Sequence, residues 1–155
     1  MAKNKKEQKK KVLFFDDEPF ITAALTHSLE LFGWKVTLVS EIDDLFKELK
    51  TRQFDILILD LMAPIPNQEN KYINFTLDEI DAMKDAQGTN VGVILAKKIW
   101  NKMKKSIPIL FLSAKKNPIP EDLELKRITC DYLRKPQFAT AVDEKLKELL
   151  NIKVN

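Results

Sequence analysis

The chain has 155 residues, 45% hydrophobic and 32% charged, with a formal net charge of +3 and one cysteine, Cys130. That size and balance suit one globular domain with a real core. One cysteine excludes an internal disulfide, no apolar run approaches the roughly 20 residues that span a bilayer, and the basic N-terminus lacks the apolar stretch of a secretory signal.

A cytoplasmic protein is the simplest reading. Residues 1–11 hold six lysines and one glutamate, a net of +5, so the remaining chain carries about −2 by subtraction. The basicity is therefore a tail, of the kind that is usually disordered. Such a tail can touch nucleic acid or an acidic surface. No aromatic residue is interleaved with these lysines, which favours a plain solvated terminus and makes nucleic acid a weak candidate partner.

Val12–Phe15 is too short for a helix and reads as a buried strand. The spacing predicts a helix over Phe20–Phe32, with Ile21, Ala24, Leu25, Ser28, Leu29 and Phe32 on one face, Pro19 at its start and Gly33 at its C-terminal cap. Trp34–Val39 is rich in strand formers. Ile42–Leu49 returns to helical spacing through Ile42, Leu45, Phe46 and Leu49. Residues 54–59 form a strand that ends at Asp60.

After a 27-residue interval, 65–91, Val93–Met103 is helical, with Ile94, Leu95, Ile99 and Trp100 set among lysines. Ile107–Leu112 is a strand in which Pro108 is tolerable near the start. Glu121–Ile128 is a short helix behind Pro118 and Pro120, Tyr132–Leu133 opens a last strand, and Gln137–Leu150 closes as a helix with Val142, Leu146, Leu149 and Leu150 inward. Strands alternating with helices call for a parallel sheet covered on both faces. Right-handed crossovers then point to a flavodoxin-like, doubly wound, five-stranded α/β sheet of order 2-1-3-4-5, with its site at the switch point between strands 1 and 3.

The interval 65–91 breaks this rhythm, and a connection so long is usually functional or disordered. Thr76 and Glu79 form a capping box, with Leu77, Ile80 and Met83 following at helical spacing and Gly88 placed to end that helix. Residues 65–75 show no period and read as loop.

Four strand ends carry matching chemistry. Strand 1 runs into Asp16-Asp17-Glu18 and strand 3 into Asp60, so three carboxylates converge if strands 1 and 3 are neighbours. Packed together they repel and resist ionisation without a counter-charge. A hard divalent cation such as Mg²⁺, which takes oxygen ligands, resolves the conflict. Strand 4 ends in Ser113-Ala114 and strand 5 in Lys135-Pro136, adding a hydroxyl and an ammonium. That set suits a carboxylate that accepts a phosphoryl group, because phosphoryl transfer is mostly positioning and charge neutralisation.

These motifs resemble the receiver domain of two-component response regulators. Phe14-Phe15-Asp16-Asp17-Glu18 is similar to the family's acidic pair, and Leu59-Asp60-Leu61-Met62-Ala63-Pro64 to its phosphorylation strand and following proline. Leu112-Ser113-Ala114 resembles its hydroxyl–alanine pair, and Asp131-Tyr132-Leu133-Arg134-Lys135-Pro136 its last strand, at a matching 22-residue step from Ser113 to Lys135. The resemblance covers 12–155 as a single receiver domain, apart from the insertion at about 65–91.

The resemblance implies that Asp60 is the phosphoacceptor, giving a phosphoprotein with an aspartyl phosphate. Asp17, Asp60 and the backbone carbonyl of Met62 would ligate Mg²⁺, with Asp16 acting through a bound water. Ser113 would contact the phosphoryl group and draw Tyr132 inward as the switch pair. Lys135 would bind a phosphoryl oxygen, across a cis bond to Pro136. It also implies a sensor histidine kinase or phosphotransfer protein as donor, an unnamed downstream protein as reader, and room for a homodimer through the last helix. The readout face would be the 121–128 helix, strand 5 and the last helix.

Three departures bear on this. The glycine that opens the next helix is Gly92, displaced by an acidic insertion of net −3, which would act as a lid, set partner choice or be decoration. Thr129-Cys130 stands where the family often has Gly-Ala. The chain ends 19 residues after Pro136, so the expectation is a stand-alone receiver whose output lies in a partner. Met62 and Lys115 flank the path of attacking water. The expected protein is not an enzyme beyond self-phosphorylation and self-dephosphorylation. A degenerate receiver serving as a scaffold, a nucleic-acid binder led by the lysine tail, and a phosphatase of the haloacid dehalogenase type remain alternatives. The last normally has a second Asp two residues after the nucleophile, where this chain has Met62. His27, Trp34, Trp100 and Cys130 read as surface or packing residues.

Overall fold

The computed structural model describes residues 8–114, 125–135 and 138–151. Five strands, β1 (Lys11–Phe15), β2 (Lys35–Val39), β3 (Ile56–Asp60), β4 (Ile109–Ser113) and β5 (Cys130–Arg134), form one sheet of order β2-β1-β3-β4-β5. Every pairing is parallel, with Phe15 opposite both Val39 and Leu59, and Leu59 opposite Phe111. The three central strands are apolar runs because both of their faces are covered.

Alternation along the strands sorts the core into two layers. Leu13, Phe15, Leu57, Leu59, Ile109 and Phe111 point to one side, against Leu45, Phe46 and Leu49 of α2 (Ile42–Thr51). Val12, Phe14, Ile56, Ile58, Leu110 and Leu112 point to the other, against Leu29 of α1 (Pro19–Leu31) and Val142 and Leu146 of α5 (Ala139–Leu149). The flavodoxin-like expectation therefore holds in strand order, direction and helix placement.

Helix α1 ends as its glycine requires. Gly33 has φ +101°, its amide donates to the Glu30 carbonyl, and the Trp34 amide donates to that of Leu29. This reciprocal pair is a Schellman turn, with Trp34 packing in the same cluster as Leu29. The Trp34 indole also donates to Asp143 Oδ1 at 2.7 Å, tying the turn to α5. The buried stripe of α1 differs from the expected face. Thr22 and Leu29 are buried and Leu25 is partly covered, but Ala24 and Phe32 are exposed. A helix lying on one sheet face covers only a stripe, and α1 carries more apolar residues than that stripe holds. The side chain of Ile21 lies outside the described residues.

The 65–91 segment is built into the α2 side of the core. Its helix, α3 (Leu77–Asp85), carries the expected capping box between Thr76 and Glu79, and it buries Ile80 and Met83. The aperiodic stretch before it is loop with one antiparallel bridge, Glu69 to Asn74, yet Phe75 is buried and Ile65, Tyr72 and Ile73 pack on the core. Helix α4 (Val91–Lys97) begins two residues earlier than the spacing predicts and continues as a π-helical segment, Lys98–Lys102. Within it, Lys98 is buried, pairs with Glu79 at 2.8 Å and lies 5.1 Å from the centre of the Phe75 ring. Of the expected 121–128 helix, residues 121–124 lie outside the described set, and Leu125–Arg127 form a single 3₁₀ turn. Among the described residues no helix is long and apolar enough to cross a membrane.

Candidate functional site

Parallel pairing brings the C-terminal ends of β1, β3, β4 and β5 to one edge of the sheet. Asp16 follows β1 directly, Asp60 and Ser113 are the last residues of β3 and β4, and Lys135 follows β5. Asp16, Asp60 and Ser113 are buried, while Asp17 is half-buried. Carboxylate oxygens of Asp16, Asp17 and Asp60 lie within 4.8 Å of one another. The Lys135 ammonium donates to Asp16 Oδ2 at 2.6 Å and to Asp60 Oδ2 at 3.2 Å.

Backbone groups hold these carboxylates in place. The Met62 amide donates to Asp60 Oδ1 at 3.1 Å, and the Glu18 amide to Asp16 Oδ1 at 2.8 Å. The Lys135 amide donates to the Ser113 carbonyl at 2.8 Å, fixing the end of β5 against β4. The Tyr132 hydroxyl donates to that same carbonyl at 3.3 Å, so the ring is half-buried and turned toward β4. The Lys135–Pro136 bond and Lys115 lie outside the described residues.

Glycine chemistry sets the remaining wall. The Gly92 amide donates to the Leu61 carbonyl at 3.0 Å, and a Cβ there would stand 2.8 Å from Leu61 Cα and closer still to the Asp60 carbonyl oxygen. Only glycine permits that approach, so Gly92, expected only to open the next helix, also meets the strand end through a backbone contact. At the end of α3, Gly88 has φ +77° and meets Ala63, whose amide donates to the Gly88 carbonyl at 3.3 Å. The expected helix stop at Gly88 is displaced by one residue. Gln87, at φ +54°, takes the left-handed position, and the Gly88 amide closes the turn on the Met83 carbonyl.

These elements enclose an open cavity of about 560 Å³, lined by Asp17, Asp60, Met62, Ala114, Lys135 and, from the 65–91 segment, Gln87 and Gly88. A smaller cleft of about 310 Å³ shares Asp17 and Pro64 and runs toward Ile65 and Asn70. The cluster of strand-end residues is legible in the sequence. Gln87 is not, because its only signal is its place beside Gly88 at the end of an insertion helix.

Electrostatics follow from this crowding. Burial pushes the Asp60 carboxyl up from its ordinary value; Lys135 pulls it down, Asp16 pushes it up again, and the net direction is upward. Burial works against the Lys135 charge, but its hydrogen bond to Asp16 and the charges of Asp60 and Asp16 outweigh this and raise its pKa. The donors facing the cavity are hard carboxylate oxygens in excess of the available positive charge. That carboxylate donor set fits a hard divalent cation.

No protein-family model matches the chain. It is 28% identical over 141 residues to the alkaline phosphatase synthesis transcriptional regulatory protein PhoP of Bacillus subtilis, covering 91% of this chain and 48% of that protein. The chain thus spans about half the length of that protein. The receiver domain of the Francisella response regulator 1452 superposes with a TM-score of 0.65 at 22% identity, covering 92% of this chain and 97% of that one. A CheY-like receiver domain from Methanospirillum hungatei gives a TM-score of 0.66 at 17% identity, over 93% and 95% of the two chains. TrrA from Thermotoga maritima, solved in complex with Mg²⁺-BeF, gives 0.63 at 24% identity, over 90% and 98%. The chain has the fold of response regulator receiver domains.

Proposed function

We propose that this chain is a phosphorylation-dependent switch of two-component signalling, with Asp60 as its phosphoacceptor. The observation that carries the reading is the clustering of the Asp16, Asp17 and Asp60 carboxylates within 4.8 Å of one another, with the Lys135 ammonium bonded to Asp16 and Asp60, beside a cavity lined by Asp17, Asp60 and Lys135. A histidine kinase or phosphotransfer protein would supply the phosphoryl group. An Asp60 carboxylate oxygen would attack phosphorus, the bond to the donor would break, and the donor would leave with that electron pair.

Asp17, Asp60 and the Met62 backbone carbonyl would hold Mg²⁺, with Asp16 acting through water. The ion would supply charge neutralisation for the incoming phosphoryl oxygens. Lys135 already bridges Asp16 and Asp60, and it would exchange the Asp60 oxygen for a phosphoryl oxygen. Ser113 closes β4 beside this cavity and would take another. Tyr132 is held on the Ser113 carbonyl, so a shift of Ser113 toward the phosphoryl group would be felt at the outer face of β5. The downstream reader would bind that face.

The test is incubation with Mg²⁺ and acetyl phosphate, comparing wild type with Asp60→Asn by intact-mass measurement. A hydroxylamine-labile gain in wild type alone is expected. No gain in wild type, or an equal gain in the variant, overturns the reading.

A further inference from the structure

Gln87, an exposed residue, lines the rim of the Asp60 cavity from the 65–91 segment rather than from a strand end. Among the described residues, Gln87, Lys104 and Asn151 are the non-glycine residues with positive φ, and of these Gln87 is the one that lines this cavity. Its position is over-determined. The Gln87 amide donates to the Lys84 carbonyl at 3.0 Å and the Gly88 amide to the Met83 carbonyl at 2.9 Å, which closes a Schellman turn. Gly88 is pinned to Ala63, two residues beyond Leu61, and α3 is anchored by the Glu79–Lys98 pair.

Glycine is the residue that such a left-handed position favours, because any Cβ is strained there. A glutamine held there at the rim of a reactive cavity is a departure from the stability optimum, and such departures gather at functional sites. The carboxamide both donates and accepts hydrogen bonds and does not titrate. A glutamine of this kind orients attacking water in other phosphoryl-transfer sites.

We propose that Gln87 is a positioning residue for hydrolysis of the Asp60 phosphate, supplied by the insertion; the inference rests on the phosphoacceptor reading above. The Gln87 carboxamide oxygen accepts a hydrogen bond from a water facing phosphorus. The water oxygen bonds to phosphorus, the bond from phosphorus to the Asp60 oxygen breaks, and that electron pair restores the carboxylate. Inorganic phosphate leaves carrying the water's oxygen, and the proton released passes to the phosphate or to solvent. The insertion thereby acts as a built-in timer for the switch.

The experiment compares the wild-type chain with Gln87→Gly and Gln87→Asn, both compatible with the left-handed backbone. Three readouts are taken with acetyl phosphate and Mg²⁺: the rate of phosphorylation, the rate of decay after donor removal, and the melting temperature. Gln87→Gly is expected to slow decay about tenfold, to leave phosphorylation unchanged and to raise the melting temperature. Gln87→Asn, whose carboxamide is one methylene shorter, is expected to decay at an intermediate rate. Unchanged or faster decay overturns the proposal, as does equal slowing of phosphorylation and decay, which marks a merely structural role. A wild-type chain that is phosphorylated on Asp60 but indifferent to Gln87 defeats this inference alone, whereas one never phosphorylated on Asp60 defeats both readings.

Discussion

Gly92 lies so close to Asp60 that a side chain of any size there would strike the Asp60 carbonyl oxygen, with Leu61 Cα 2.8 Å from the added Cβ. The opening of α4 and the end of β3 are therefore one unit, joined by the hydrogen bond from the Gly92 amide to the Leu61 carbonyl. Gly92→Ala should cost about 1–3 kcal/mol, since both colliding atoms are backbone and cannot swing aside. Denaturant unfolding measures the loss, and phosphorylation of Asp60 should slow in step with it as the strand end shifts.

The crowded carboxylates predict a cation effect. Mg²⁺ at ten times its dissociation constant should stabilise the chain by about 1.4 kcal/mol. Asp17→Asn and Asp60→Asn should each reduce that increment sharply, because each replaces a charged carboxylate of the cluster with a neutral amide. Thermal unfolding with and without Mg²⁺ decides the point, and an increment that survives both substitutions would remove the metal site.

Asp60 should show an inverted pH dependence. Its carboxyl is raised above 3.8, chiefly by burial, so the folded chain holds this proton more tightly than the unfolded one. The charged form is therefore a cost at neutral pH, and that cost disappears as pH falls through the raised value towards 3.8. Without divalent cation, Asp60→Asn should melt higher than wild type at neutral pH, and the difference should shrink on acidification. Parallel melting curves across pH would contradict the sign.

Lys135 has the opposite balance. Its raised pKa means that its stabilising contribution is complete below the ordinary value of 10.5 and is lost only as pH rises through the folded value. Lys135→Met should destabilise the apo chain at neutral pH by about 2–3 kcal/mol, because it leaves buried Asp16 and Asp60 without their partner. Adding Asp60→Asn should recover part of this loss, which a double-mutant cycle measures.

The 65–91 segment is expected to behave as core. Burial alone would raise the Glu79 carboxyl, but Lys98 and the Thr76 amide bring it below 4.5. Glu79→Ala should cost about 2–3 kcal/mol by stranding the buried Lys98 ammonium. The double variant Glu79→Ala/Lys98→Met should be more stable than Glu79→Ala. The wild-type contribution is present above pH 4.5 and fades as pH falls through the lower folded value.

Much of this molecule is set by local sequence. The apolar runs ending at Phe15, Asp60 and Ser113 are strands because they are short and buried on both faces, and their direction follows from the alternating helices. Parallel strands place their C-terminal residues on one edge, so Asp16, Asp60, Ser113 and Lys135 are legible as one constellation from the order of the elements alone. The capping box of α3 is equally local, since Thr76 and Glu79 satisfy each other across three residues.

Tertiary packing decided the rest. Phe75 and Ile65 carry no period, so only the α2–α4 side of the core reveals them as anchors of the insertion. The stripe of α1 that is buried depends on how the helix meets the sheet, which leaves Phe32 outside despite its helical spacing. Gln87 lines the rim of the Asp60 cavity because Gly88 docks on the backbone of Ala63, a contact 25 residues apart in the chain that no spacing rule encodes. Local propensity is read from neighbours in sequence, whereas such docking is settled by which surfaces meet once the sheet has formed.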